Sequence, residues 1–453
     1  MVKGKRCEKE DIVFKEFLKD ENGDLKMKNH ELKETGAQNL FPMATRVICK
    51  LFLPDGFPSS VSQDYLSYQV YDSIQGFSSY VRGMLSNQSI LIGLGVGKET
   101  SSAVSASLSL AMREFISILG SLCFTAFTGS RLDADAKQWR LMADILNDIG
   151  MTLDVIAPAF PRFFLVLALL GSLFRAIVGV AGNATRTTLT NHFALQGNSG
   201  DVACKEGSQE TAITLLGMIF GVILTRIENQ RLVLLFFGVL TAIHIYTNVC
   251  AMRALQISRL NRSRIDLLLG QFVSNSNSNL SSLEQLVSPK EMAKIEPLFG
   301  FHIFGKRAFD IDIAPRINTL SHSDLEEVGS VLAEFGRQKI ECSRLWQDFR
   351  AVTERYCIVG RVHARKMLVF LSPKSDSEID VVTAYCMARL LSWKVQKTYD
   401  TDFLQKIIES KPSAELGVAT FLSSLTQSGW SLENPLLLQG DSRLEFSVSM
   451  KSE

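Results

Sequence analysis

Apolar and small residues dominate the chain from about residue 86 to 252, and three runs stand out within that stretch. They are "FFLVLALLGSLFRAIVGVA" (163–181), broken only by Arg175, "AITLLGMIFGVIL" (212–224), and "LVLLFFGVLTAIHIYTNV" (232–249). A helix that crosses a bilayer needs about 20 predominantly apolar residues, so the first and third runs approach membrane length and the second falls short. The polar turn "TRIENQR" between the second and third predicts a helical hairpin. Gly217 and Gly221 give a GxxxG spacing, which suits close helix approach in a bilayer and in a dense soluble core alike. Two readings follow: membrane-inserted helices with Arg175 and His244 turned into a bundle interior, or a soluble helical bundle with buried hairpins.

Upstream, the turn "LPDGFP" precedes a predicted helix beginning near Ser60 to Ser62, with Tyr65, Val70, Ile74, Phe77 and Val81 at helical spacing. A second helix lies in "KQWRLMADILNDIGMTLDVIAP", where Trp139, Met142, Leu146, Ile149, Leu153 and Ile156 recur every three or four residues and Pro158 ends the pattern. Its polar stripe, Arg140, Asp144 and Asp148, reads as the solvated face of an amphipathic helix. Residues 1–43 are charged, and Asn22-Gly23 predicts a small hairpin. Residues 273–290 contain "VSNSNSNLSS", with the composition of a solvated linker. Beyond it, 291–453 holds strand-like runs "YCIVGRV" and "KMLVFLS" and helical patterns at 378–397, 400–410 and 414–428. The expected architecture is a mainly α, membrane-associated bundle in the N-terminal and central part (44–272) followed by a C-terminal α+β domain.

Composition changes this picture little. With 48 Lys+Arg against 47 Asp+Glu, the net charge of +1 offers no field for nucleic acid. Eight Cys stand singly, without metal or redox spacing, as expected of reduced intracellular thiols. The first residues, "MVKGKRCEKEDIVFKEF", lack an apolar core and carry Glu8, Glu10 and Asp11, so no cleavable targeting peptide is expected. "GLGVGKET" (93–100) misses the first glycine and the hydroxyl residue of a phosphate loop, and the six His show no metal-binding spacing. No GxSxG serine elbow is present. No complete catalytic set and no metal site are expected.

One polar constellation adjoins the apolar runs. Arg186, His192, Asp201, Lys205, Glu206, Gln209 and Glu210 surround "DVACKEGSQET" (201–211). As a site, Lys205 beside carboxylates would take a phosphate or an aldehyde such as pyridoxal phosphate, with Arg186 completing an anion site. As plain structure, Asp201 would cap a helix whose first turns carry the charges, with Cys204 leaving the capping box incomplete.

The strings "FLPDGFPSSVSQDYLSYQVYDSIQG", "GSRLDADAKQWRLMADILNDIGM" and "GNATRTTLTNHFALQGNSGDVACKEGSQET", in this order, resemble the root UV-B sensitive family over about 40–280. The last domain is similar to that family's less regular C-terminal part. The resemblance implies membrane association and, from plant members, links to UV-B responses of roots, early seedling development and vitamin B6 homeostasis; it brings no established enzymatic activity. The expectation is therefore an intracellular, membrane-associated, non-enzymatic scaffold or regulator, acting through protein partners, other family members among them, or by handling a B6-type metabolite. A small-solute or cofactor carrier is the alternative, and an enzyme built on Lys205 the second.

Overall fold

The computed structural model describes residues 13–19, 25–31, 47–95, 103–128, 131–227, 229–278 and 286–299, and beyond them 310–315, 320–322, 326, 345–347, 350–352, 355–361, 366–373, 375, 377–396 and 413–437. Strands β1 (Val13–Lys19) and β2 (Leu25–Glu31) pair antiparallel with Phe17 opposite Met27. They flank the expected hairpin turn, whose own residues lie outside the described ones.

Among the described residues from Tyr65 onward, the bundle is built by α1 (Tyr65–Gly93), α2 (Ala103–Thr128), the short α3 (Arg131–Ala134), α4 (Ala136–Ile156), α5 (Phe164–Phe193), α6 (Ser199–Leu224) and α7 (Gln230–Ala254). The first starts later than its sequence suggests. Turns occupy the residues before it, and the Ser62 N–H donates to the Phe193 carbonyl at 3.0 Å, so the chain is pinned to the end of α5 before it can wind. The apolar run 212–224, too short alone, is the second half of α6, whose 26 residues suffice to cross a membrane. Helix α2 also qualifies, although its serines dilute the run enough to hide it from inspection. Among the described residues, four helices, α2, α5, α6 and α7, are thus long and apolar enough to span a bilayer.

Their burial is inverted. None of the apolar window of α2 is buried, and only 28%, 17% and 22% of those in α5, α6 and α7. Phe115, Leu122, Ile219, Phe220 and Leu235 face outward, while α4 turns its polar stripe inward. Asp144 and Asp148 are buried and Ile149 is 41% exposed, so the stripe is not a solvated face. The reason is a set of partners on α1 and α7 that no local spacing reveals.

Glycine sets the closest crossings. A Cβ at Gly217 would stand 3.0 Å from the Tyr80 ring, and one at Gly221 would collide with Met84, so the GxxxG face of α6 lies directly on α1. On the other side of the bundle, a Cβ at Gly150 of α4 would stand 2.9 Å from the Gly171 carbonyl of α5.

After α7 come β3 (Arg259–Asn261), α8 (Arg262–Ser278) and α9 (Pro289–Ile295). Strands β4 (Asp310–Ile313), β5 (Leu345–Gln347), β6 (Arg350–Val352), β7 (Tyr356–Arg361) and β8 (Lys366–Leu371) form a sheet of order β4-β8-β7-β6-β5, with only the β4–β8 pair parallel. Helix α10 (Glu378–Gln396) packs on it, α11 (Ser413–Gln427) packs on α10, and β9 (Ser431–Leu436) pairs parallel with β3. The helical pattern at 400–410 lies outside the described residues. This is the α+β domain expected, and its core includes Ile265, Leu268, Leu269 and Val273 of α8 beside Tyr385 and Phe421. The Ser/Asn-rich stretch accordingly begins as helix.

Candidate functional site

A cavity of about 520 Å³ opens between α1, α4, α5 and α6. Missing side chains make the room: Gly76 and Gly83 of α1 and Gly179 and Gly182 of α5 line it, and a Cβ at either α5 glycine would meet nothing within 4 Å. Polar groups crowd one part of the wall. Tyr68, Gln69 and Asp72 come from α1, Arg140 from α4, Asn183 and Arg186 from α5, and Glu206, Gln209 and Glu210 from α6. Further along α1 the lining turns apolar, with Met84, Met151, Val178 and Ile213.

Each guanidinium is bracketed by carboxylates. Arg186 Nη1 is 2.7 Å from Glu210 Oε2, and its Nε is 3.9 Å from Glu206 Oε2. Arg140 Nη2 is 3.2 Å from Asp72 Oδ1, and its Nε is 3.6 Å from Asp144 Oδ2. Buried Glu206 accepts from Gln69 Nε2 (3.1 Å) and Thr190 Oγ1 (2.9 Å). Gln209 Nε2 donates to the Phe52 carbonyl at 2.6 Å, which leaves its buried Oε1 without a partner among the described residues. A buried acceptor in that condition normally finds a donor, and here the cavity is where one would enter.

Helix geometry divides the constellation seen in the sequence. Glu206 and Glu210, one turn apart, face the cavity with Gln209 and meet Arg186 there. Asp201 and Lys205 lie on the opposite flank and fasten the preceding segment: Asp201 Oδ2 accepts from the Asp55 N–H at 2.7 Å, and Lys205 Nζ donates to the Lys50 carbonyl at 2.6 Å. Asp201 is not the cap residue, since α6 starts at Ser199 after Asn198. His192 is separate again, with Nε2 2.9 Å from Asp64 Oδ2. Among the described residues no lysine lines the cavity, so these residues do not fit an aldehyde held as a Schiff base there. The sequence reading missed Tyr68, Gln69 and Asp72, while Arg140 was visible in the α4 stripe.

A buried relay starts at the cavity wall. Gln75 Nε2 donates to Asp144 Oδ1 (3.1 Å) and lies 2.8 Å from His244 Nε2. Asn248 Nδ2 donates to Asp144 Oδ2 at 2.5 Å; His244 Nδ1 is 3.0 Å from Asp148, whose Oδ1 also receives Arg82 Nη1 at 2.5 Å. Farther along α4, Asp154 holds Arg113 at 3.1 Å and Arg175 at 2.5 Å, so the charge inside the first apolar run does turn inward. Where the bundle meets the α+β domain, Glu296 takes Lys137 Nζ (3.2 Å) and Arg264 Nε (3.0 Å). Burial pulls the Lys137 ammonium down to about 8. Burial also pushes Glu296 up, but Arg264 and Lys137 outweigh it and hold that carboxyl below its ordinary range.

The sequence profile of the vitamin B6 photo-protection and homoeostasis domain matches residues 42–276. The chain belongs to the root UV-B sensitive family. Similar relatives are Protein root UVB sensitive 3 of Arabidopsis thaliana, 42% identical over 260 residues that cover 57% of each chain, and RUS family member 1 of Dictyostelium discoideum, 38% identical over 275 residues covering 59% of this chain and 50% of the relative. Protein root UVB sensitive 2, chloroplastic, of Arabidopsis thaliana is 31% identical over 245 residues, 53% of this chain and 56% of the relative. The chain thus spans about half the length of the curated relatives it matches. No solved structure gives a significant match. The matched family region contains every residue of the cavity and the relay and ends inside α8.

Proposed function

We propose that the helical domain sits within a membrane and acts as a carrier for a small metabolite of mixed charge, a phosphorylated form of the vitamin B6 that the family's description names. The observation that carries this reading is a charge-lined cavity inside a bundle whose exterior is apolar. Its volume lies in the range of small-molecule sites, about 300–1,000 Å³. Arg140 and Arg186 offer charge to a phosphate, Gln209 Oε1 and the Glu206 and Glu210 carboxylates accept from N–H or O–H groups, and the apolar part of the wall receives a ring. In a bilayer, polar residues inside helical bundles mark ligand and ion pathways, whereas a scaffold has no use for such a void.

The test uses the full chain in lipid nanodiscs with pyridoxal 5′-phosphate as probe. Gly182→Leu, which fills open space, and Arg186→Met are expected to weaken binding about tenfold or more without lowering the melting temperature. Lys205→Met, away from the cavity, is expected to bind like the parent. Equal binding by the two cavity variants, or no binding by the parent, overturns the reading.

A further inference from the structure

The Gln75 amide stands between the cavity and the relay and reaches the His244 ring. Its Nε2 reaches both Asp144 Oδ1 and His244 Nε2, so the amide gives one hydrogen to each. In that arrangement the imidazole nitrogen facing it accepts and a single ring proton on Nδ1 points at Asp148, which is the pattern of a neutral ring. The ring is fully buried. The charged groups facing it are Arg82 from α1 and Asp144 and Asp148 from α4, with Arg140 behind Asp144; from α7 itself come Thr241, which meets Arg82, and Asn248, which holds Asp144.

A proton on His244 breaks this pattern. Nε2–H would oppose the Gln75 N–H, donor against donor, and a turn of the amide that lets Oε1 accept from the imidazolium relieves this at the expense of the Gln75–Asp144 hydrogen bond. Turning delivers the NH₂ to the place Oε1 occupied. Because Gln75 lines the cavity and only its Nε2 is engaged within the relay, protonation exchanges an acceptor for a donor on the cavity wall. Charge acts in the same direction. Around cavity and relay, Asp72, Asp144, Asp148, Glu206 and Glu210 outnumber Arg82, Arg140 and Arg186, so an entering anion adds to a negative excess and a proton on His244 offsets it.

We propose that the cavity takes up an anion together with a proton, His244 being the proton acceptor and Gln75 the side chain that conveys its charge state to the cavity wall. The idea rests on the reading of the cavity as a ligand site and adds the coupling. Binding linkage is reciprocal: if a proton tightens anion binding, the anion must equally favour the proton.

The experiment compares the parent and His244→Gln as full chains in phosphatidylcholine nanodiscs, measuring pyridoxal 5′-phosphate binding at about pH 7.5 and about pH 5.5, on either side of an ordinary imidazole. The probe's own phosphate titrates near 6 in both proteins, so the readout is the ratio of parent to variant affinity. That ratio is expected to rise about tenfold on acidification. Gln75→Met, which keeps the imidazole and removes the amide, is expected to flatten the ratio too, and it decides the matter should His244→Gln fail to accumulate. A flat ratio with clear binding by the parent overturns the coupling alone. No binding by the parent at either pH removes the ligand site and the coupling together.

Discussion

Asp154 and Lys205 show how differently two charged residues of this bundle are employed. Asp154 is fully buried and gathers Arg113, Arg175 and the Ser86 hydroxyl. Lys205 ties down one backbone carbonyl near the surface. Removing one member of a buried ion group leaves its partners uncompensated, so Asp154→Ala is expected to lower stability by about 3–5 kcal/mol. Lys205→Ala is expected to stay within about 1 kcal/mol. Thermal melting of both variants in detergent checks this, and equal effects would contradict the burial difference. Lys137 gives a pH signature. Its folded-state value, about 8, lies below the ordinary 10.5, so the folded chain holds fewer protons than the unfolded chain between those values and gains stability as pH rises through that window. The gain amounts to about 3 kcal/mol and should vanish in Lys137→Met. Glu296 acts at the other end: its lowered carboxyl supports the fold above the ordinary range near 4.5, and that support is lost as pH falls through the folded value. Melting curves from about pH 2 to about pH 11 for the parent and Lys137→Met read both limbs.

At the scale of elements, the two crossings made through glycine respond unlike the glycines of the cavity. Gly221→Val puts two methyl groups where Met84 already lies and is expected to force α6 off α1, at a cost of about 1–3 kcal/mol. Gly182→Ala enters open space and is expected to be nearly silent. Accumulation and melting of the two proteins compare them. Helix α8 and strand β3 make a second element-level prediction, because Ile265, Leu268, Leu269 and Val273 fill the α+β core and β3 pairs with β9. A fragment beginning at residue 258 is expected to melt cooperatively, and one beginning at 288 to be insoluble or molten. Equal behaviour of the two fragments would mean that α8 belongs energetically to the bundle.

For the molecule as a whole, the inverted burial supports a lipid surround. Cys123 lies exposed on α2 among Leu119 and Leu122, where water would find it. In intact membranes a charged maleimide is expected to leave Cys123 unmodified and to label it only after denaturation. Rapid labelling of the native protein, or its release by alkaline carbonate, would mean that the apolar exterior is covered by something other than lipid.

The apolar runs and their lengths were legible because helix propensity and hydropathy are local: the bundle, the α6–α7 hairpin and the strand pair β7–β8 all follow from neighbouring residues. Arg186, Glu206, Gln209 and Glu210 were legible as a polar cluster for the same reason. Its division was not, since whether Lys205 or Glu206 meets the cavity depends on how α6 is rotated against α1 and α5, which Gly217, Gly221 and the tethered segment before α1 fix from far away in the chain. The α4 stripe makes the same point. Arg140, Asp144 and Asp148 are spaced as any solvated face would be, and only Gln75, Arg82, His244 and Asn248, brought from separations of 66 to 104 residues, turn that face inward. The sequence alone determined where the three longest apolar runs lie; the tertiary structure decided which charges the helices enclose, because pairing buried charges depends on contacts between distant helices that no local periodicity records.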